Sequence, residues 1–326
     1  MTHARVVSPG MLTTVQDLGR WGFQARGVSV AGPMDFYAHR LANLLAGNSS
    51  DAATLEVTLI GPEIEFEEPT VAAVAGATFD LTVGAAPVPM HAAFIVPGQS
   101  RLKFGARLSG ARAYLAVAGG IAVAPVLGSR ATHVTSGIGG VGGRAVRAGD
   151  RLPLGPPGIP RSHLPRVDAL SFGVTGNDRL ARADGPRTPA RLRLLPGPQL
   201  ADFPSEALRI LQAAPYTVDQ QSNRMAYRLV GEPVTHRGDA QMISDATPMG
   251  TLQVLPSGLP VLLMADRQTT GGYPHIATVM TADLPIAGQL APGDALSFTL
   301  SSPADALAAL IAQERVLMNV AARWAQ

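Results

Sequence analysis

The sequence predicts a mainly β fold, on three observations. Its 35 glycines and 27 prolines are spread along all 326 residues instead of being gathered in linkers. Between them lie short β-branched and apolar runs, notably Thr70–Thr82, Ala92–Val96 and Pro260–Met264. These have the length and composition of strands separated by tight turns. Helical spacing of apolar residues supports a helix in two segments.

The first segment predicts a helix near 33–46. Pro33 follows Gly32 at a first-turn position, Asp35 complements the positive end of the dipole, and Met34, Tyr37, Leu41, Leu44 and Leu45 share a face before Gly47-Asn48 stops it. The second predicts a helix near 303–324. Ser302 is a good N-cap, Pro303 suits the next position, and Leu307, Leu310, Ile311, Leu317, Val320 and Trp324 recur at helical spacing.

A loose repeat runs through the chain. Thr14-Val15 with Arg20–Phe23 resembles Thr217-Val218 with Arg224–Tyr227, Thr54–Val57 resembles Thr251–Val254, and Pro97-Gly98 with Phe104 resembles Pro292-Gly293 with Phe298. A duplication would give two similar β lobes with a site in the cleft between them. The expected division is residues 1–105 as part of a first lobe, 106–190 as a middle β segment with a Pro/Gly-rich connection and a strand at 168–174, and 191–326 as a second lobe with the terminal helix.

Composition removes several function classes. The chain is 46% hydrophobic and 15% charged, so it is expected to be ordered, with a surface cheap to desolvate against a partner. It has no cysteine, hence no disulfide framework, thiolate nucleophile or thiolate metal site. Lys103 is the one lysine, and neither a Walker loop nor a biotin-carrier motif surrounds it. The net charge is +2 without a basic stripe, which argues against nucleic acid. The start carries no apolar leader, and the long uncharged stretches, 113–129 and 246–265, are broken by proline and glycine. A cytoplasmic chain without membrane contact is therefore expected.

Three motifs carry candidate chemistry. In Thr13–Gly22, Gly19 and Gly22 permit a tight path while Asp17 and Arg20 either grip a polar ligand or pair with each other. In Ser222–Leu229, strand alternation puts Arg224, Ala226 and Arg228 on one face. Two guanidinium groups then either share an anion or pair with separate carboxylates. The richest is Asp266-Arg267-Gln268-Thr269-Thr270-Gly271-Gly272-Tyr273-Pro274, directly after an apolar run. It delivers a carboxylate, an amide and two hydroxyls to a strand mouth, and successive N–H groups at 270–272 can form an anion nest or oxyanion hole. Asp266 suits a general base or a Mg²⁺ ligand. The glycine run Gly137–Arg144 lacks dinucleotide-fingerprint spacing and is expected to be a mobile or close-packed loop. The seven histidines show no metal-ligand spacing; His275, just past the polar turn, is the one candidate for a direct role, and no metal site is predicted.

Together the blocks Leu12–Gly22, Gly128-Ser129-Arg130, Ser222–Leu229 and Asp266–Val279 resemble the allophanate hydrolase subunit 2 family, also called the Kip antagonist family, within the biotin-dependent carboxyltransferases. The resemblance runs from about Ser8 to Phe298. It implies two cyclophilin-like β-barrel lobes with a few short helices and a C-terminal helix. It further implies ATP-driven opening of 5-oxoproline to glutamate, a 5-oxoprolinase activity in which this chain works with companion subunits A and B and is inactive alone. ATP with Mg would be bound mainly through the partner or at the interface. Under that reaction Asp266, Thr269 and Thr270 are the catalytic candidates, and Arg224 or Arg228 clamps the substrate carboxylate. Asp17, Arg20, Gln268, Gly271, Gly272 and Tyr273 complete the binding set. Two alternatives stand beside it: carboxyl transfer from biotin to urea or a related amide, and a regulatory module that antagonises an inhibitor of a sensor kinase. The family shows Gly where this chain has Ala226, and Ser-Glu where it has Ser244-Asp245, which bears on substrate identity.

Overall fold

The computed structural model describes residues 2–157, 189–238 and 241–322. The expected strand at 168–174 and Trp324 lie outside the described residues. The chain forms two units: 2–20, 31–157 and 314–322 in the first, and 21–30, 189–238 and 241–313 in the second.

The first unit is built on a nine-stranded sheet. Its strands are β1 (His3–Ser8), β2 (Leu12–Gln16), β3 (Thr54–Thr58), β4 (Glu63–Phe66), β5 (Thr70–Val83), β6 (Ala86–Val88), β7 (Ala93–Val96), β8 (Ser100–Val117) and β9 (Arg151–Pro153). The order β2-β3-β8-β4-β1-β9 forms the main path, with β5 pairing β6, β7 and β8. Val71–Ala77 is apolar at consecutive positions, with one glycine, because both faces of β5 are covered. Ala72 and Val74 enter the main core, whereas Ala73 and Ala75 face the helix α1 (Phe36–Leu45). Alanines there let α1 approach closely with Tyr37, Leu41 and Leu45 buried.

Helix α1 starts three residues later than the sequence suggests. Asp35, in extended conformation, is its N-cap and accepts the Ala38 N–H at 2.8 Å. Pro33 therefore precedes the helix, after Ala31 and Gly32, which have positive φ of 57° and 89°. The boundary expected between 105 and 106 is not a break, because β8 runs through it. A Cβ at Gly105 would meet the Asp80 carbonyl oxygen at 3.1 Å, so this glycine serves close strand approach and not a turn.

The second unit contains a closed barrel in the order β10-β17-β14-β15-β12-β11-β18. These strands are β10 (Ala190–Pro196), β11 (Tyr216–Val218), β12 (Ala226–Val230), β14 (Thr251–Val254), β15 (Pro260–Leu263), β17 (His275–Val279) and β18 (Ala295–Leu300). Parallel pairing of β10 with β18 closes the ring. A separate two-stranded sheet joins β13 (Asp245–Ala246) to β16 (Thr270–Gly271). Alternation fills the barrel: Leu192 and Leu194, Tyr227 and Leu229, Leu296 and Phe298 are all buried. Each such side chain contributes about 1.5–3 kcal/mol on removal from water. Helices α2 (Ala207–Ala213) and α3 (Leu284–Gly288) are short.

The C-terminal helix α4 (Pro303–Ala322) begins as expected, with Ser302 Oγ accepting the Asp305 N–H at 3.1 Å. Its apolar residues do not share one face. Leu317 and Val320 pack with α1, whereas Leu307 and Ile311 remain 59% and 42% exposed. Ten residues at about 100° each put Leu317 roughly 80° round the helix from Leu307. Among the described residues no helix is long and apolar enough to cross a membrane.

The mainly β class therefore holds: among the described residues the first unit has an open nine-stranded sheet, and the second a closed barrel with a small two-stranded sheet beside it. The repeat does not map strand onto strand. β2 and β3 are hydrogen-bonded neighbours, while their counterparts β11 and β14 are separated by β12 and β15. What recurs is a buried polar residue in the second matching block, Glu56 in β3 and Gln253 in β14.

Candidate functional site

In the second unit, the ladder between β12 and β15 continues past the strand ends. Met264 N–H donates to the Met225 carbonyl and Asp266 N–H to that of Arg224, both at 2.8 Å. This register brings the Arg224 side chain to Asp266, and the guanidinium grips both carboxylate oxygens, Nε–Oδ2 at 2.9 Å and Nη2–Oδ1 at 3.0 Å. Both residues are buried. Arg228 lies on the exposed side of β12, between the buried Tyr227 and Leu229. The two arginines thus do not form a shared anion clamp: Arg224 is bound to a protein carboxylate, and Arg228 faces solvent. Nor does Asp266 stand open as a base or metal ligand, since each of its oxygens already accepts from Arg224.

Past Asp266 the chain turns and zips onto 245–247. Arg267 Nε donates to the Thr247 carbonyl at 2.6 Å, Thr247 N–H donates to the Thr269 carbonyl at 3.1 Å, and the Thr247 hydroxyl donates to the Gln268 carbonyl. Ser29 Oγ–H caps the Arg267 carbonyl at 2.6 Å. Neither Gly271 nor Gly272 has positive φ, and Thr270–Gly271 is a strand. Consecutive N–H groups there point to opposite sides, so the expected nest is not formed. Gly271 instead leaves room for the Gln253 side chain, since a Cβ would lie 2.6 Å from its amide nitrogen. The side chains of Gln268, Thr269, Thr270 and Tyr273 make no hydrogen bond among the described residues; Gln268 and Thr270 are exposed, Thr269 and Tyr273 half-buried. They form the polar surface of this turn.

Beneath it, the buried Gln253 donates through Nε2 to the Tyr273 carbonyl at 3.2 Å and meets His275 Nε2 at 3.1 Å. With the amide donating, Nε2 is the acceptor and the imidazole proton sits on Nδ1. Burial lowers the His275 pKa, with Asp245 pulling the other way. His275 thus supports the turn from below and is not displayed on it.

In the first unit, Asp17 and Arg20 do not pair with each other. Asp17 accepts from Ser129 Oγ at 2.5 Å, from the Gly19 N–H at 3.0 Å and from the Arg130 N–H. Arg20 donates to the carbonyls of Val126 at 3.2 Å and Ala131 at 2.7 Å. Both buried charges therefore pin the glycine-rich loop. That loop is close-packed: a Cβ at Gly139 would lie 1.9 Å from the Ala131 oxygen, and one at Gly143 would lie 2.0 Å from the Gly137 carbonyl.

A second buried polar group in this unit carries no motif in the sequence. Tyr114 O–H donates to Glu56 Oε2 at 2.7 Å and accepts the Asp35 N–H at 2.8 Å, and Met34 N–H reaches the same Glu56 oxygen at 2.9 Å. Burial, then Glu56, drives the Tyr114 pKa well above its ordinary value. His39 meets Thr54 Oγ1 at 2.9 Å, and burial lowers its pKa to about 4, against the opposing pull of Asp17 and Glu56. The cluster ties the start of α1 to β3 and β8.

Residues 26–300 match the carboxyltransferase domain, subdomain A and B. The chain belongs to that family. The resemblance read from its sequence blocks is thereby established. This carboxyltransferase-domain chain is 37% identical over 319 residues to the C subunit of 5-oxoprolinase from Escherichia coli (strain K12), with 98% of each chain covered. It is 33% identical over 289 residues to the corresponding 5-oxoprolinase chain of Haemophilus influenzae, covering 87% of each. Among solved structures it superposes on the Kluyveromyces lactis urea carboxylase with a TM-score of 0.86 and 31% identity, over 98% of this chain and 29% of that one.

Proposed function

We propose that this chain is the C subunit of an ATP-dependent 5-oxoprolinase, which acts with subunits A and B to convert 5-oxoproline to glutamate. The observation that carries this reading is the end-to-end similarity to the Escherichia coli 5-oxoprolinase chain, 98% of each at 37% identity. The geometry supports a binding and orienting role. Gln268, Thr269 and Thr270 present polar groups unspent on the described protein itself, at a turn fixed from below by Gln253 and Thr247. Hydroxyls and amides so placed receive a lactam carbonyl and the charge that develops on it.

In this reading ATP with Mg is bound mainly through a companion subunit or at the interface with it. Among the described residues no group of three or more His, Cys, Asp or Glu forms a metal site, and Asp266 is engaged by Arg224 on both oxygens. The test is reconstitution: ATP-dependent glutamate release from 5-oxoproline, measured for subunits A and B with and without this chain. The reading requires release only when the chain is added; equal release without it rejects the assignment.

A second reading, carboxyl transfer to urea or a related amide, is favoured by the TM-score of 0.86 to the urea carboxylase. It needs a separate biotinylated carrier, and avidin capture of a complex containing this chain would support it over the first.

A further inference from the structure

Arg267 is more than nine-tenths buried, yet among the described residues it has no carboxylate of its own. Its hydrogen bonds all go to neutral main-chain oxygens. Nε is held firmly by the Thr247 carbonyl at 2.6 Å, whereas Nη1 reaches those of Met264 and Ala265 only at 3.3 Å and 3.5 Å. Nη2 makes no hydrogen bond to the described residues and is not among the enclosed polar atoms lacking one. The carboxylate that acts on Arg267, Asp266, has both oxygens occupied by Arg224. Burial at this position lowers the Arg267 pKa to about 10, the direction expected of an under-compensated cation.

Keeping a guanidinium in the interior with only neutral acceptors is costly. A planar anion on the loosely held Nη1–Nη2 edge would relieve that cost through two parallel charge-assisted bonds. The cation sits one residue before Gln268 and grips Thr247, whose own N–H and hydroxyl hold the main chain of the polar turn. We infer that Arg267, and not Arg224 or Arg228, is the residue that receives the substrate's carboxylate, with its Nη1–Nη2 edge as the docking face. The inference rests on the 5-oxoproline reading for the identity of that carboxylate, but not for its chemistry.

The experiment compares three probes at constant ionic strength: 5-oxoproline, its neutral carboxamide, and acetate. Each is titrated into the full-length wild-type chain, Arg267→Gln and Arg267→Lys, alone and with the companion subunits, by calorimetry and by the thermal midpoint. The wild type is expected to bind the acid at least roughly tenfold more tightly than the carboxamide. Arg267→Gln is expected to lose that preference, and Arg267→Lys, which keeps the charge but not the fork, to lose part of it. If Arg267→Gln does not fold, Arg267→Lys decides. An undiminished acid-over-amide preference in the folded variants overturns the inference, as does a wild type that binds none of the probes. Carboxylate binding that needs Arg267 but favours acetate over 5-oxoproline keeps the receptor and rejects the substrate.

Discussion

The guanidinium of Arg224 closes on both oxygens of Asp266, at 2.9 Å and 3.0 Å, with both side chains buried where β12 and β15 run past their ends. Breaking such a pair from one side strands a buried charge at a cost of about 3–5 kcal/mol. Asp266→Ala is therefore expected to lower the unfolding free energy by that amount in denaturant titration. Arg224→Met combined with Asp266→Leu should recover most of it, because a matched apolar pair leaves no charge behind. An Asp266→Ala variant of wild-type stability would show that the pair does not hold the strand ends.

Two glycines of one loop separate steric from conformational cost. Gly139 has φ of 74° and a Cβ there would sit 1.9 Å from the Ala131 oxygen, whereas Gly142 has φ of 61° with nothing within 4 Å. Gly142→Ala should cost about 1 kcal/mol from backbone strain alone. Gly139→Ala should cost about 2–4 kcal/mol, because the Arg20 contacts to that loop must shift as well. Equal urea midpoints for the two variants would contradict a close-packed loop.

His39 gives the first unit an acid sensitivity. Its pKa is lowered to about 4 by burial, below the ordinary value near 6.5. Between these values the unfolded chain binds a proton that the folded chain does not. Stability is thus fully present above about pH 6.5 and falls as pH drops toward 4, by about 3 kcal/mol for this residue. Carboxylates add their own acid dependence, so the readout is the difference in midpoint between wild type and His39→Gln from pH 7 to 4.5. The variant should lose less stability over that range; parallel curves would contradict a buried neutral imidazole.

Much of the architecture is legible in the sequence because strands and caps are local. The runs at 70–82, 92–96 and 260–264 appear as β5, β7 and β15, and the polar turn follows β15 directly. Pairing of charges is less legible. Alternation places Arg224 beside Arg228, but β12 begins at Ala226, so Arg224 lies outside the strand whose period relates the two. Glu56 is hidden by a different effect: every residue of β3 is buried, so an inward polar residue leaves no break in the pattern. Arg267 does leave a signal, as the second of two adjacent charges ending an apolar strand, which cannot both face water on one side.

The central claim is that the polar turn after β15 handles substrate while the scaffold beneath it supplies stability. Thr269→Val with Thr270→Val changes no side-chain hydrogen bond among the described residues, and its stability should stay within about 0.5 kcal/mol of wild type. ATP-dependent glutamate release by this variant with subunits A and B should fall at least about tenfold, with co-purification unchanged. Release at the full wild-type rate from the folded, assembled variant would place the chemistry elsewhere.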